Sequence, residues 1–356
     1  MSSIFGRFLQ ISTFGESHGV GLGVVIDGVP AGIPIPIEMI QQELDRRRPG
    51  TSQYVTQRKE TDQVELLSGI HEGRSLGSPI AMLVRNKDAR SKDYKAINTL
   101  FRPGHADYTY FKKYGIPPQS GGGRASGRET LARVAAGAIA KAILKPYGIH
   151  IQAYTIKIGS IQAIHINPDF AETHPLRCAD PDKAEDMESL VKQVQSEHDS
   201  IGGMIEVIAN GVMPGLGDPV FHKLDATIAG AMVSIGAVKG IEFGGGFALT
   251  EKKGSESNDP ISLSPPISNH AGGILGGISN GAPILIRLAI KPTPSISKDQ
   301  QTIDILGEEK TISIKGRHDP CICPRICPVA EAMMALVLAD ALLKRNAELG
   351  IMNQIM

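Results

Sequence analysis

Four cysteines in 356 residues are too few for the disulfide framework of a small secreted domain. An excess of one charge sign is also missing. Lys plus Arg equals Asp plus Glu at 37 each, so the net charge is zero. A generally basic nucleic-acid-binding protein and an acidic tail are both excluded on that ground. No apolar run reaches the roughly 18 residues that a membrane span needs. The start, Met1-Ser2-Ser3-Ile4-Phe5-Gly6-Arg7, lacks a basic stretch followed by an apolar one, so no signal peptide is expected. There is no fixed-period repeat, no linker of convincing composition, no His-Glu-x-x-His and no close carboxylate cluster. The expectation is a cytoplasmic protein, folded as a single domain over residues 1–356, with no metal, nucleic-acid or membrane partner.

Glycine and proline are plentiful. The 40 Gly and 23 Pro make up about 18% of the chain, against an average near 12%. With 41% hydrophobic residues mixed among them, they read as loops around a large core rather than as a disordered linker. Helices longer than two turns are expected over Pro36–Arg47, where Ile37, Ile40 and Leu44 recur at helical spacing, and over Gly127–Lys145, Pro219–Ile235 and Val329–Leu349, with a more polar one at Asp182–Glu197. The second opens on Ser126-Gly127-Arg128-Glu129, a capping-box pattern. Short β-like runs are expected at Phe8–Thr13, Gly23–Ile26, Gln63–Gly69, Ile80–Val84, Ile149–Ile158, Gly203–Ala209 and Ile284–Ile290. A hairpin is expected over Thr302–Ile314, turning at Gly307-Glu308. Strands follow one another without intervening helices, which favours α+β with antiparallel sheets. Lys252–Ser268, rich in Ser, Pro, Asn and Asp, reads as a surface loop.

Several loops combine glycine with a cation or a histidine. Gly15-Glu16-Ser17-His18-Gly19 matches Gly-x-Ser-x-Gly, but a nucleophile elbow needs a helix after the serine, and a β-branched run follows instead. Arg46-Arg47-Arg48-Pro49-Gly50 ends a helix, where one or two arginines complement the dipole and a third is left for an anionic ligand. Gly121-Gly122-Gly123-Arg124-Ala125-Ser126-Gly127-Arg128 runs into a helix N-terminus, a natural anion site. His105 lies in the Pro-Gly turn of Phe101–Asp107. Asn269–Gly277, Lys291–Ser295 and Lys315-Gly316-Arg317-His318-Asp319-Pro320 add further glycine, cation and carboxylate groups. Cys321, Cys323 and Cys327 fit no zinc or iron–sulfur spacing and read as ordinary thiols. Together these loops describe a site for a ligand with more than one phosphate.

The motifs, in order along the chain, resemble the chorismate synthase family. They are Gly15–Gly19, Arg46–Gly50, Arg102–Asp107, Gly122–Thr130, Asn269–Gly273, Lys291–Thr293 and Gly316–Cys321, and they span about Gly6 to Lys344. The resemblance implies a β-α-β sandwich, long helices packed between antiparallel sheets, assembled as a homotetramer. It implies a lyase that converts 5-enolpyruvylshikimate 3-phosphate to chorismate by anti-1,4-elimination of phosphate, the last common step of the shikimate pathway. It also implies reduced FMN, and it associates the chain with NADP. By the same resemblance His18 protonates the departing phosphate and His105 protonates reduced flavin near N1. Asp319 works with flavin N5 to remove the C6 proton, and Ser17 and Ser126 are supporting hydroxyls. FMN contacts are implied at Arg124, Ala125, Ser126, Gly236, Ala237, Gly276, Lys291, Pro292, Thr293, Pro294, Ser295 and Arg317. Arg47, Arg48, Arg102 and Arg128 are implied as anion ligands.

Two positions depart from the family pattern. Gln53 stands where many relatives carry arginine, and Gly236 replaces an asparagine. No large insertion is present, so a built-in flavin reductase is not expected and a separate one would supply the reduced FMN. A serine hydrolase built on Ser17 and a non-catalytic flavin- or nucleotide-binding protein remain as alternatives at this stage.

Overall fold

The computed structural model describes residues 3–50, 61–87, 99–117, 120–261, 267–314 and 318–350. Gln53 and Arg317 lie outside them.

Two five-stranded sheets carry the fold. In the first the order is Ile4–Phe5, Gln10–Gly15, Gly21–Asp27, Ile80–Arg85 and Val64–Ser68, each antiparallel to its neighbour. In the second it is Val238–Phe243, Ile284–Ile290, Gly203–Asn210, His150–Ile158 and Ile161–Gln162, again antiparallel. Alternation turns one face inward, so Leu22, Val24 and Ile26 are buried in the first sheet and Ile284, Ile286 and Leu288 in the second.

The described helices are α1 (Ile37–Arg47), α2 (Asp107–Tyr114), α3 (Thr130–Leu144), α4 (Pro168–Thr173), α5 (Pro181–Ser196), α6 (Leu224–Val233), α7 (Gly254–Ser257) and α8 (Cys323–Gly350). Helix α3 packs on the first sheet, α8 packs on the second, and the two pack on each other. This is the expected α+β sandwich of long helices between antiparallel sheets. A helix in that middle layer is covered all round, so it carries apolar residues on every side rather than on one stripe. Where α3 crosses α8, a Cβ on Gly137 would stand 2.3 Å from the Ala332 Cβ. Only glycine allows that approach.

Helix α8 begins at Cys323, six residues before the sequence-based start. Pro324 sits in its first turn, where a missing N–H costs nothing, and Pro328 removes a single interior bond. Burial of Cys323, Ile326 and Cys327 holds that turn in place. The helix is also long and apolar enough to cross a membrane, which a count of uninterrupted apolar residues does not reveal. Here 83% of its most apolar window is buried inside the fold, as expected of a core helix.

That window contains two charges, Asp340 and Glu331, and Glu331 is only 1% exposed. It accepts from Arg46 Nη1 at 2.7 Å, Lys141 Nζ at 2.8 Å and the Ala153 amide at 3.1 Å. Burial pushes its carboxyl up, but Lys141 and Arg46 outweigh burial and hold it well below the usual range. One buried carboxylate thus ties α1, α3, α8 and the second sheet together.

Other boundaries moved for identifiable reasons. The expected Pro219–Ile235 helix splits into a short 3₁₀ turn at Val220–His222 and α6. The capping box is half formed. Ser126 Oγ accepts from the Arg128 amide at 3.4 Å, but Glu129 turns away to Thr13 and Arg133. The hairpin pairs Gln300–Ile303 with Glu309–Ile312, with Asp304 accepting the Leu306 and Glu308 amides in its turn. Helix α7 falls within the expected Lys252–Ser268 loop, of which 262–266 lie outside the described residues. The strand Val238–Phe243 and helices α2 and α4 were not anticipated.

Candidate active site

Segments 47–49, 102–107, 121–130, 235–237, 291–295 and 318–329 converge on one cavity of about 390 Å³. They come from α1, the loop before α2, the loop before α3, the turn after α6, the loop after Ile284–Ile290, and the start of α8. The wall at 121–123 depends on glycine, because φ is +66° at Gly121, +82° at Gly122 and +51° at Gly123. A Cβ on Gly121 would also meet the His18 ring at 2.4 Å. Ala237 is held at φ +75° and its carbonyl accepts from the Lys291 amide. That is a strained setting for a residue with a Cβ.

Five cationic side chains, Arg47, Arg102, Arg128, Lys291 and Arg325, line the cavity against two carboxylates, Asp107 and Asp319. Arg102 is fixed by Asp107 through Nε at 2.7 Å and Nη2 at 2.8 Å. Arg325 Nη1 donates to Asp319 Oδ2 at 2.6 Å. Arg47 and Arg128 share Asp62, which lies behind the wall. Lys291 Nζ donates to the Gly104 carbonyl at 3.0 Å. His105 Nε2 lies 2.7 Å from Ser295 Oγ. Burial, then the Arg102 charge, pushes the His105 ring down to about 4, with Lys291 and His318 adding to the effect and Asp107 opposing it. Burial also lowers His318, with Asp319 opposing.

Four buried polar atoms of this lining meet no hydrogen-bond partner among the described residues: Arg47 Nε, Arg325 Nε, Thr293 Oγ1 and His318 Nε2. Three of the four can only donate or can rotate to donate. An excess of cations and idle buried donors together fit a ligand rich in acceptors and negative charge.

Most of the residues named from the sequence therefore meet in one place. His105, Asp319, Ser126, Ala125, Gly236, Ala237, Lys291, Thr293, Pro294, Ser295, Arg47, Arg102 and Arg128 all line the cavity. Others do not. Ser17, 1% exposed, is not part of the lining, and neither is His18, whose ring packs against Gly121. Arg124 turns back to the first sheet, where Nη2 donates to Thr13 Oγ1 at 2.7 Å. Gly276 lies in the turn between the short strands Ile274–Leu275 and Ile278–Ser279, away from the lining. Arg48 is 43% exposed beside Asp45, and Pro292 is not part of the wall. A strand, Gly21–Asp27, follows Ser17, so the nucleophile-elbow context is absent.

Sequence reasoning missed Asp62, His318 and Arg325 as site residues. Asp62 has no local motif. His318 stood within a quoted motif without a role, and Arg325 was hidden behind the cysteines. Those cysteines are free and buried, and burial pushes the Cys327 thiol up to about 12. Among the described residues no group of His, Cys, Asp and Glu is placed to hold a metal ion.

The family model for chorismate synthase matches residues 9–343. A curated chorismate synthase of Methanococcoides burtonii is 54% identical over 349 residues, covering 96% of this chain and 95% of that protein. A solved structure described as a crystal structure of chorismate synthase superposes with a TM-score of 0.76 at 35% identity, covering 96% of this chain and 93% of the other. Sequence likeness over nearly the whole chain and a shared fold agree with the cavity's chemistry, and the chain belongs to the chorismate synthase family of lyases.

Proposed function

We propose that this chain converts 5-enolpyruvylshikimate 3-phosphate to chorismate and phosphate by anti-1,4-elimination, with reduced FMN bound in the same cavity. The observation that carries this reading is the set of idle buried donors inside a cation-rich cavity. The substrate has a phosphate and two carboxylates, and FMN has one phosphate, so the two ligands supply the missing acceptors. Reduced FMN, when bound, contributes an electron-rich ring that promotes departure of the phosphate, although the reaction has no net redox change.

The chain's own residues do the rest. Arg47, Arg102 and Arg128 hold the anionic groups of the substrate. Ala125, Ser126, Gly236, Ala237, Lys291, Thr293, Pro294 and Ser295 form the FMN cradle, with Arg317 as a further contact and Pro292 left out. Arg124 and Gly276 are left out of the cradle because they lie off the wall. Asp319, steered by Arg325, takes the ring C6 proton. His18, whose ring packs against Gly121 at the cavity's glycine wall, is the acid for the departing phosphate, with Ser17 and Ser126 as supporting hydroxyls. His105, beside the FMN cradle, would hold a proton there once ligand charge has raised it from about 4. In this reading the enzyme works in the cytoplasm as a homotetramer and receives reduced FMN from a separate flavin reductase.

The test is an anaerobic assay for chorismate with and without reduced FMN. Chorismate formed only with reduced FMN supports the reading. Binding of substrate and FMN without turnover under reducing conditions would reduce the protein to a flavin-binding module.

A further inference from the structure

Asp62 forms no part of the cavity wall, yet two of the wall's arginines depend on it. Its carboxylate is 0% exposed. Oδ2 accepts from Arg47 Nη2 at 2.7 Å and Oδ1 accepts from Arg128 Nη1 at 2.8 Å. The two guanidiniums come from separate elements, the last turn of α1 and the turn entering α3. Without the carboxylate, two like charges would face each other across a buried gap.

The backbone at Asp62 is committed to this task. Its φ is +44°, a region where Asp and Asn are the usual non-glycine residues. Gln41 on α1 donates to the Asp62 carbonyl at 3.3 Å and accepts from the Val64 amide at 3.1 Å. Burial pushes the Asp62 carboxyl up, but Arg47 and Arg128 outweigh it and hold it below its usual range. Burial pushes Arg47 down to about 10, opposed by Asp62 and assisted by Arg325 and Arg128. One carboxylate faces two guanidiniums, so the trio keeps one net positive charge. Arg47 Nε, buried, is left with nothing to donate to among the described residues.

We propose that Asp62 is a positioning residue that spaces the Arg47 and Arg128 guanidiniums into a two-armed clamp for one anionic group of the substrate, a phosphate or a carboxylate. The proposal rests on the cavity being the site of the enolpyruvyl substrate. Two effects of Asp62 on an incoming anion have opposite signs. Its negative charge repels the anion, while its spacing of the arms favours it. Removing the charge alone would tighten binding, whereas losing the spacing loosens it. The sign of the change therefore separates a positioning role from simple charge compensation, and a structural role moves neither.

Asp62→Asn is the informative variant, because Asn keeps the size and tolerates the positive φ. Asp62→Glu keeps the charge and lengthens the arm. Calorimetry with the substrate alone, steady-state rates with reduced FMN and the melting temperature are measured on each. The expected result for Asp62→Asn is a Kd and KM raised roughly tenfold to hundredfold, the worth of one charge-assisted contact, with kcat within about threefold. Asp62→Glu should show a smaller loosening of the same kind. Unchanged or tighter binding in Asp62→Asn overturns the proposal, as does a lower melting temperature with unchanged Kd. Should the Asn variant not fold, the Kd of Asp62→Glu decides by the same criterion. If the wild type neither binds nor converts the enolpyruvyl substrate, the functional reading fails by itself. Titration with inorganic phosphate then tests the clamp, which stands if Asp62→Asn loses phosphate affinity and falls if it does not.

Discussion

His105 should take up a proton when a phosphate-bearing ligand enters the cavity. In the free protein its ring titrates at about 4, so it is neutral at pH 7. Suppose one ligand charge comes to about 5 Å from the ring. At an effective dielectric of about 20 the attraction is about 3 kcal/mol, or roughly 2.5 pH units. One charge then moves His105 to about 6.5, and a second carries it above neutrality. Binding at pH 7 should therefore draw in between roughly a quarter of a proton and one whole proton. Calorimetric titration of substrate without reduced flavin, in buffers of different ionisation heat, gives the uptake without turnover. His318 is also held low and lines the same cavity, so the decisive comparison is with His105→Gln. Equal uptake by wild type and His105→Gln would refute the reasoning, since the proton would then belong to another group. The same depression acts on stability with a definite sign. Below about 6.5 the unfolded chain binds the proton that the empty fold refuses. The unliganded protein should therefore lose stability as pH falls from there towards 4, and bound ligand should blunt the loss.

Asp319→Asn keeps size but cannot accept a proton, so substrate and FMN should bind nearly as before while single-turnover chorismate formation drops steeply. Weakened FMN binding with an intact rate at saturating FMN would defeat that assignment. Lys291→Ala should weaken FMN binding most at low salt, because a charge–anion contact is screened by ions. A titration showing no loss removes Lys291 from the cradle. His18→Ala should lower turnover by roughly 10²–10⁴-fold in a folded protein, and a near-normal rate would leave His18 as packing against Gly121. Glu331→Gln should cost about 3 kcal/mol of stability without changing ligand affinity. Because the Glu331 carboxyl is held low, that contribution is present above its unfolded value near 4.5 and disappears as pH falls further. The melting-temperature gap between Glu331→Gln and wild type should accordingly close in acid.

The run Arg46-Arg47-Arg48 shows what a sequence can and cannot disclose. Its surplus of charge at a helix end was legible, and so was the need for something anionic. The partners were not. Consecutive residues on a helix point about 100° apart, so three neighbours face three environments. Arg46 reaches inward to Glu331, 285 residues away. Arg47, 1% exposed, meets Asp62 and the cavity, while Arg48 points to solvent. The strands were legible as short β-like runs because Gly, Pro and Asn bound them. The middle-layer helices lost their stripe to burial on both sides, and α8 hid its first turn behind two prolines. Glycines 121–123 were legible as a candidate anion site because glycine, arginine and a helix start stand together in the chain, and the positive φ they need is also a local requirement. Asp62 and Arg325 had no such motif to betray them. A carboxylate that holds two arginines from different elements gains its meaning only after those elements have been brought together by the packing of α1 against α3. Motifs therefore mark the lining of the cavity, and packing decides which of their charges face it and which hold the others in place.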